Sequence, residues 1–162
     1  MKCWISTLAL ALPMSCAWAD DRADCAAVQG VLLVGKVISG PTFVHGQFLQ
    51  GVELSHTRIL VQADASGTVY DARIDNVFAE DYQKNSRMVP ASLSALSSGT
   101  HVEICGATYQ DSGAPPGIHW THTDCGSPPQ PGKPDGWVKV VSADGSVGPN
   151  LEAAGQYCSI FQ

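Results

Sequence analysis

The sequence of 162 residues predicts a mainly β protein. The expected form is a small, partly closed five-stranded barrel of OB-fold type, with one short helix between strands three and four. Three observations predict it. Short runs rich in Val, Ile and Leu recur between Gly, Pro and Ser stops. Within the body of the chain, Pro90–Leu96 is the stretch that reads as a helix, with Leu93 and Leu96 at helical spacing. That stretch follows three strand-like runs and precedes two more, where an OB barrel carries its helix. An immunoglobulin-like sandwich competes, but it needs about seven strands and no central helix.

The chain opens with Met1-Lys2, runs apolar from Ile5 to Pro13, and reaches Ala17-Trp18-Ala19 before Asp20. A basic start, a short apolar core and an Ala-x-Ala site read as a secretory signal peptide over 1–19, cleaved after Ala19. A lipoprotein signal ending at Cys16 fits less well, because Pro13 and Met14 sit badly before such a cysteine. The apolar run is too short to span a bilayer as a helix, and no later segment is apolar enough, so no membrane span is expected. Residues 20–162 are then one barrel domain with a disulfide-tied C-terminal tail, periplasmic or secreted. The formal charge of −6 becomes more acidic once Lys2 leaves. An acidic chain without a Lys/Arg cluster is no general nucleic-acid binder.

Taken in order, residues 20–27 are polar and read as a loose lead-in pinned by Cys25. Val28 to Ser39 is a strand stopped by Gly40-Pro41. Phe43 to Ser55 lacks a period and reads as a long connection. His56 to Asp64 alternates, with Thr57, Ile59, Val61 and Ala63 on one face. Ala65-Ser66-Gly67 turns it into a second strand, Thr68 to Ile74, and the pair is a hairpin. Pro90 suits the first turn of the short helix, and Ser97-Ser98-Gly99 ends it. Thr100 to Tyr109 is a strand, residues 111–117 turn, and Ile118 begins the return. Ser127 to Asp135 carries four prolines and is a loop. Trp137 to Val141 is a last short strand at an edge.

Four cysteines remain after cleavage: Cys25, Cys105, Cys125 and Cys158. An even set in an oxidising compartment reads as two disulfides. The favoured pairing is Cys105–Cys125 within one hairpin and Cys25–Cys158 joining the ends. A zinc site of four cysteines is disfavoured, since no Cys-x-x-Cys exists. Paired cysteines also leave no thiolate for nucleophilic catalysis.

The chemistry concentrates in Gly117-Ile118-His119-Trp120-Thr121-His122-Thr123-Asp124-Cys125 and its echo Pro134-Asp135-Gly136-Trp137-Val138. These two stretches resemble the DUF3465 family of small exported bacterial proteins, whose signature is His-Trp-Thr-His-His-Asp-Pro followed by Gly-Trp-Ile. His56-Thr57-Arg58-Ile59-Leu60-Val61 and Gly99-Thr100-His101-Val102-Glu103 are similar to two further strands of that family. The resemblance covers about residues 30–141. Thr123 stands where the family has a third His, Cys125 where it has Pro, and the loop before Gly136 is longer. The resemblance implies a barrel-like fold and export, and no established activity.

The first functional reading is a non-enzymatic module that binds a protein or small ligand of the cell envelope through His119, Trp120, His122, Asp124 and Trp137, with no cofactor. One tryptophan should be buried and the other partly exposed, with Pro41–Ser55 and Gln110–Gly117 as ligand loops. The alternative is a divalent-metal-binding protein or metal-dependent hydrolase using His119, His122 and Asp124, completed by His56 or His101. On a straight strand the spacing of His119 and His122 puts them on opposite faces, so a shared site needs a bend at Thr121 or Thr123. A third reading is an envelope immunity or inhibitor protein acting through the Pro-rich loop. No Gly-x-Ser-x-Gly or His-Glu-x-x-His motif points to an enzyme. Asp71, Arg73 and Asp75 alternate on one strand and read as a solvated, ion-paired face.

Overall fold

The computed structural model describes residues 16–162, with side chains from Asp21 onward. All but the last four residues of the expected signal segment lie outside that range. The first element is an α-helix, α1 (Cys16–Ala27), where a loose lead-in was expected. Five alanines favour the helix, and Cys25, wholly buried, fastens it to the barrel.

Eight strands follow: β1 (Val31–Val44), β2 (Phe48–Leu49), β3 (Val52–Glu53), β4 (His56–Ala63), β5 (Val69–Asp75), β6 (His101–Tyr109), β7 (Gly117–His119) and β8 (Trp137–Val141). The sheet runs β1-β4-β5-β7-β6, and a β1–β6 pairing closes it. β5 and β7 are parallel; the other pairings in the ring are antiparallel. This is the expected OB-type barrel, closed rather than partly closed. Closure follows from the length of β1, whose first half pairs with β6 and whose second half pairs with β4. β6 gives its other edge to β7 over residues 107–109 and to β8 over residues 101–105.

Gly40-Pro41 does not end β1. Gly40 takes φ +107°, and two register shifts bulge the strand, yet pairing resumes at Thr42↔Arg58 and continues to Val44↔His56. Bulges bend a strand without ending it. The expected long connection after it contains the small β2–β3 hairpin. The expected helix between β5 and β6 is a 3-10 turn, Ala91–Ala95. Its Leu93, with Leu96, is fully buried in the core beside Ile59, Val61, Ile74, Ile104 and Ile118. The alternation of β4 is as expected: Thr57, Ile59, Val61 and Ala63 all point inward. Gly117 lets the Tyr109 ring lie across it: a Cβ there would stand 2.1 Å from that ring and displace it.

The disulfides are Cys25–Cys105 and Cys125–Cys158, which corrects the expected pairing. β7 is only three residues long. The chain leaves β6 before Cys125 can face Cys105, and Cys125 meets the C-terminal tail instead. Cys105 points away from the core toward α1. Opening that crosslink by the pair Cys25→Ser and Cys105→Ser should lower stability by about 2–4 kcal/mol, read as a fall in the thermal midpoint.

Candidate metal centre

Three strand ends meet at one rim of the barrel. β4 begins at His56 and β5 ends at Asp75, directly opposite in the antiparallel register. β7 runs parallel to β5, with Ala72 beside Ile118, so His119 emerges at the same rim. Trp120 then takes φ +60°, a left-handed conformation uncommon for a large side chain. That turn breaks strand alternation and brings His122 to the same side as His119. The bend falls at Trp120, one residue before the first position the sequence indicated.

The Asp75 carboxylate is the centre of the group. Its Oδ1 lies 3.1 Å from His56 Nε2, and its Oδ2 lies 3.1 Å from His119 Nε2. His122 Nε2 is 3.9 Å from Oδ2. The two nitrogens Nε2 of His56 and His119 are themselves 3.3 Å apart. One atom each from His56, Asp75 and His119 forms a set within 4.8 Å. Asp75 is 7 % exposed, and among the described residues its buried Oδ2 has no aligned hydrogen-bond donor. Burial alone would push the Asp75 carboxyl up; the adjacent His119 and His56 nitrogens, and the His119 and His122 charges, hold it well below the usual carboxylate range.

The supports are as specific as the cluster. His122 Nδ1 lies 3.0 Å from the Thr123 carbonyl, a contact that fixes the ring with Nε2 toward Asp75. The Phe78 ring stacks on His122 at 3.9 Å with 2° between planes. Glu152, fully buried, reaches in from the tail. It accepts the Asp75 backbone N–H at 2.5 Å and the Thr121 hydroxyl at 2.6 Å. Burial and the nearby Asp75 charge push the Glu152 carboxyl well up, against those two hydrogen bonds. Below Asp75, Asn76 accepts from Thr57 and donates to Ser55, so this buried polar layer is satisfied.

The cluster forms one wall of a cavity of about 420 Å³. Of the residues singled out in the sequence, His56, His119, Trp120, His122 and Asp124 all line it. Asp124 is not among the converging atoms, and the carboxylate of the centre is Asp75. The Asp124 backbone is turned by an N–H bond to Asp135. Trp137 does not belong to this patch. It sits opposite Cys105 on β6, donates to Glu103 at 2.8 Å and lies under Lys139. Both tryptophans are half-buried, where one was expected inside. His101 lies against Asp64 at 2.6 Å, away from the cluster. Of the two expected ligand loops, 41–55 contributes Gln47 and Leu54, and 110–117 contributes nothing to the cavity.

Asp75 was legible in principle. The turn at 65–67 pairs Gln62 with Val69, and counting outward puts His56 against Asp75. Glu152 had no such signal, since the tail lacks any period. The face of Asp71, Arg73 and Asp75 is ion-paired as expected but not solvated: Asp75 is buried in the cluster, and Asp71, also buried, is bound by Arg58 Nε at 2.9 Å and by Arg73 Nη2 at 3.0 Å. Burial would raise the Asp71 carboxyl, and the two guanidiniums outweigh that and lower it. A lowered carboxyl stabilises the fold above its unfolded pKa, and that contribution is lost as pH falls through the lower, folded value. Asp71→Asn should therefore reduce stability at neutral pH and flatten its further decline below about pH 4, as followed by denaturant unfolding across pH.

Compared with family models, with curated proteins and with solved structures, the chain matches none, so fold and site rest on its own residues.

Proposed function

We propose that the protein is an exported, disulfide-bonded barrel of the DUF3465 type that binds one divalent transition metal through His56, Asp75 and His119, with His122 as a fourth donor. The observation that carries this is the buried Asp75 Oδ2, without an aligned donor and facing imidazole nitrogens. A buried charge is tolerated when it is paired or coordinates a metal. Two imidazole Nε2 atoms 3.3 Å apart cannot both point a proton at each other, while a shared cation suits both lone pairs. Imidazole and carboxylate together favour zinc or a neighbouring first-row ion over calcium or magnesium. The Thr123 carbonyl on His122 supplies an outer hydrogen bond of the kind such sites use, and Glu152 holds the Asp75 backbone in place.

Export is supported by the signal-like start and the two disulfides. A native mass spectrum of protein from the periplasm, prepared without chelator, tests both parts. One divalent ion per chain, absent from His119→Ala, and a mass starting at Asp20 are expected. A metal-free spectrum that stays metal-free in micromolar zinc would end the metal reading.

A further inference from the structure

We infer that the cavity beside the cluster is a binding site for a small organic anion: its charged group meets the metal, and its apolar body lies against Trp120 and Phe161. This rests on the metal reading above. His56, Asp75 and His119 all face the cavity, so an ion they hold turns an open side to it. Three protein donors with an open position is the arrangement of zinc sites that take exogenous ligands, and a fourth from His122 still permits five-coordination. The cavity volume of about 420 Å³ lies in the range of small-molecule sites.

The walls say which ligand. Leu54, Phe78, Trp120, Pro128 and Phe161 give an apolar interior. Phe161 stacks on Phe78 at 5.6 Å and is still 41 % exposed, so part of its ring is open where it lines the cavity. Lys133, on the Pro-rich loop, is the one Lys or Arg among the described lining residues, and its Nζ stands 5.4 Å from the Trp120 ring centroid. Trp120 in turn sits edge-on to His119 at 5.7 Å. Cation, indole and metal-binding imidazole are thus arranged in sequence along one wall. Among the described lining side chains, a divalent ion and Lys133 are the positive groups a ligand's anionic head would meet, with Asp75 committed to the ion. The C-terminal turn is held over this space by the Cys125–Cys158 crosslink and by the Gln50 amide, which donates to the Ile160 carbonyl.

Cobalt(II)-loaded protein tests the inference, because visible d–d bands report both metal uptake and entry of a ligand. Titration with benzoate should change the bands saturably, at least about tenfold more tightly than acetate does, since benzoate buries an apolar ring that acetate lacks. Lys133→Gln should weaken benzoate by several-fold or more and leave cobalt affinity unchanged. Phenyl phosphate against inorganic phosphate is the second arm: a stronger response than to benzoate would assign phosphate esters rather than carboxylates. Bands that no anion moves, or equal affinity for benzoate and acetate, or a Lys133→Gln protein that binds benzoate normally, would each overturn the inference. Failure of cobalt to bind at all would instead overturn the metal reading beneath it.

Discussion

Asp75→Asn should abolish metal binding while the barrel still folds. Asparagine keeps the shape and the backbone N–H that Glu152 holds, but it removes the charge at the centre of the cluster. Two neutral imidazoles and an amide bind a divalent ion far more weakly than two imidazoles and a carboxylate. A loss of at least about 100-fold is expected, which is about 2.7 kcal/mol. Thermal unfolding with and without zinc reads it directly. For the native protein, zinc at 100 times its dissociation constant should add about 2.7 kcal/mol of stability. At the same zinc concentration Asp75→Asn should gain no more than about 0.4 kcal/mol. An equal zinc shift in both proteins would mean the ion, if bound, sits elsewhere.

Glu152→Ala should be the most damaging single change to stability. It empties a fully buried site and leaves the Asp75 N–H and the Thr121 hydroxyl without acceptors. Each orphaned buried group costs about 1–3 kcal/mol, and the cavity adds to that. A total of about 3–5 kcal/mol is a large share of the roughly 5–15 kcal/mol that holds a domain together. Glu152→Gln is the control. Its carbonyl can accept the Asp75 N–H, its amide can donate to Thr121, and a neutral amide suits a site where burial and the Asp75 charge disfavour a carboxylate. Chemical denaturation should place Gln within about 1 kcal/mol of the native protein and Ala far below it. If the two variants behaved alike, the hydrogen bonds would not be what matters there. The same residue joins fold to function, because it holds the backbone of Asp75, whose carboxylate is the centre of the cluster.

Much of the barrel was readable from local pattern. The alternation in His56–Ala63, the turn at 65–67 and the strand at His101–Tyr109 follow from side-chain period and turn chemistry, which are local properties of the chain. The strand order followed because an OB barrel accommodates few arrangements of five strands and one short helix. Local pattern failed where local signals were overridden. Gly40-Pro41 reads as a stop, yet β1 bends and continues because β4 is there to pair with it. The polar lead-in is helical, anchored by a buried cysteine whose partner lies 80 residues away.

For the site, the sequence by itself determined the ingredients on one segment: His119, Trp120 and His122, close together and beside a Pro-rich loop. The tertiary structure alone decided which groups join them. A metal or ligand site is defined by distances among residues remote in the chain, and His56, Asp75 and Glu152 arrive from three other segments. The parallel pairing of β5 with β7 put Asp75, rather than the adjacent Asp124, between the histidines. Trp137, part of the same sequence echo, lies further along the same edge of β6, opposite Cys105, because β8 pairs with the stretch of that edge that β7 leaves open. Sequence proximity therefore supplied the candidate atoms, and strand pairing selected among them, since only pairing sets side chains within bonding distance of one another.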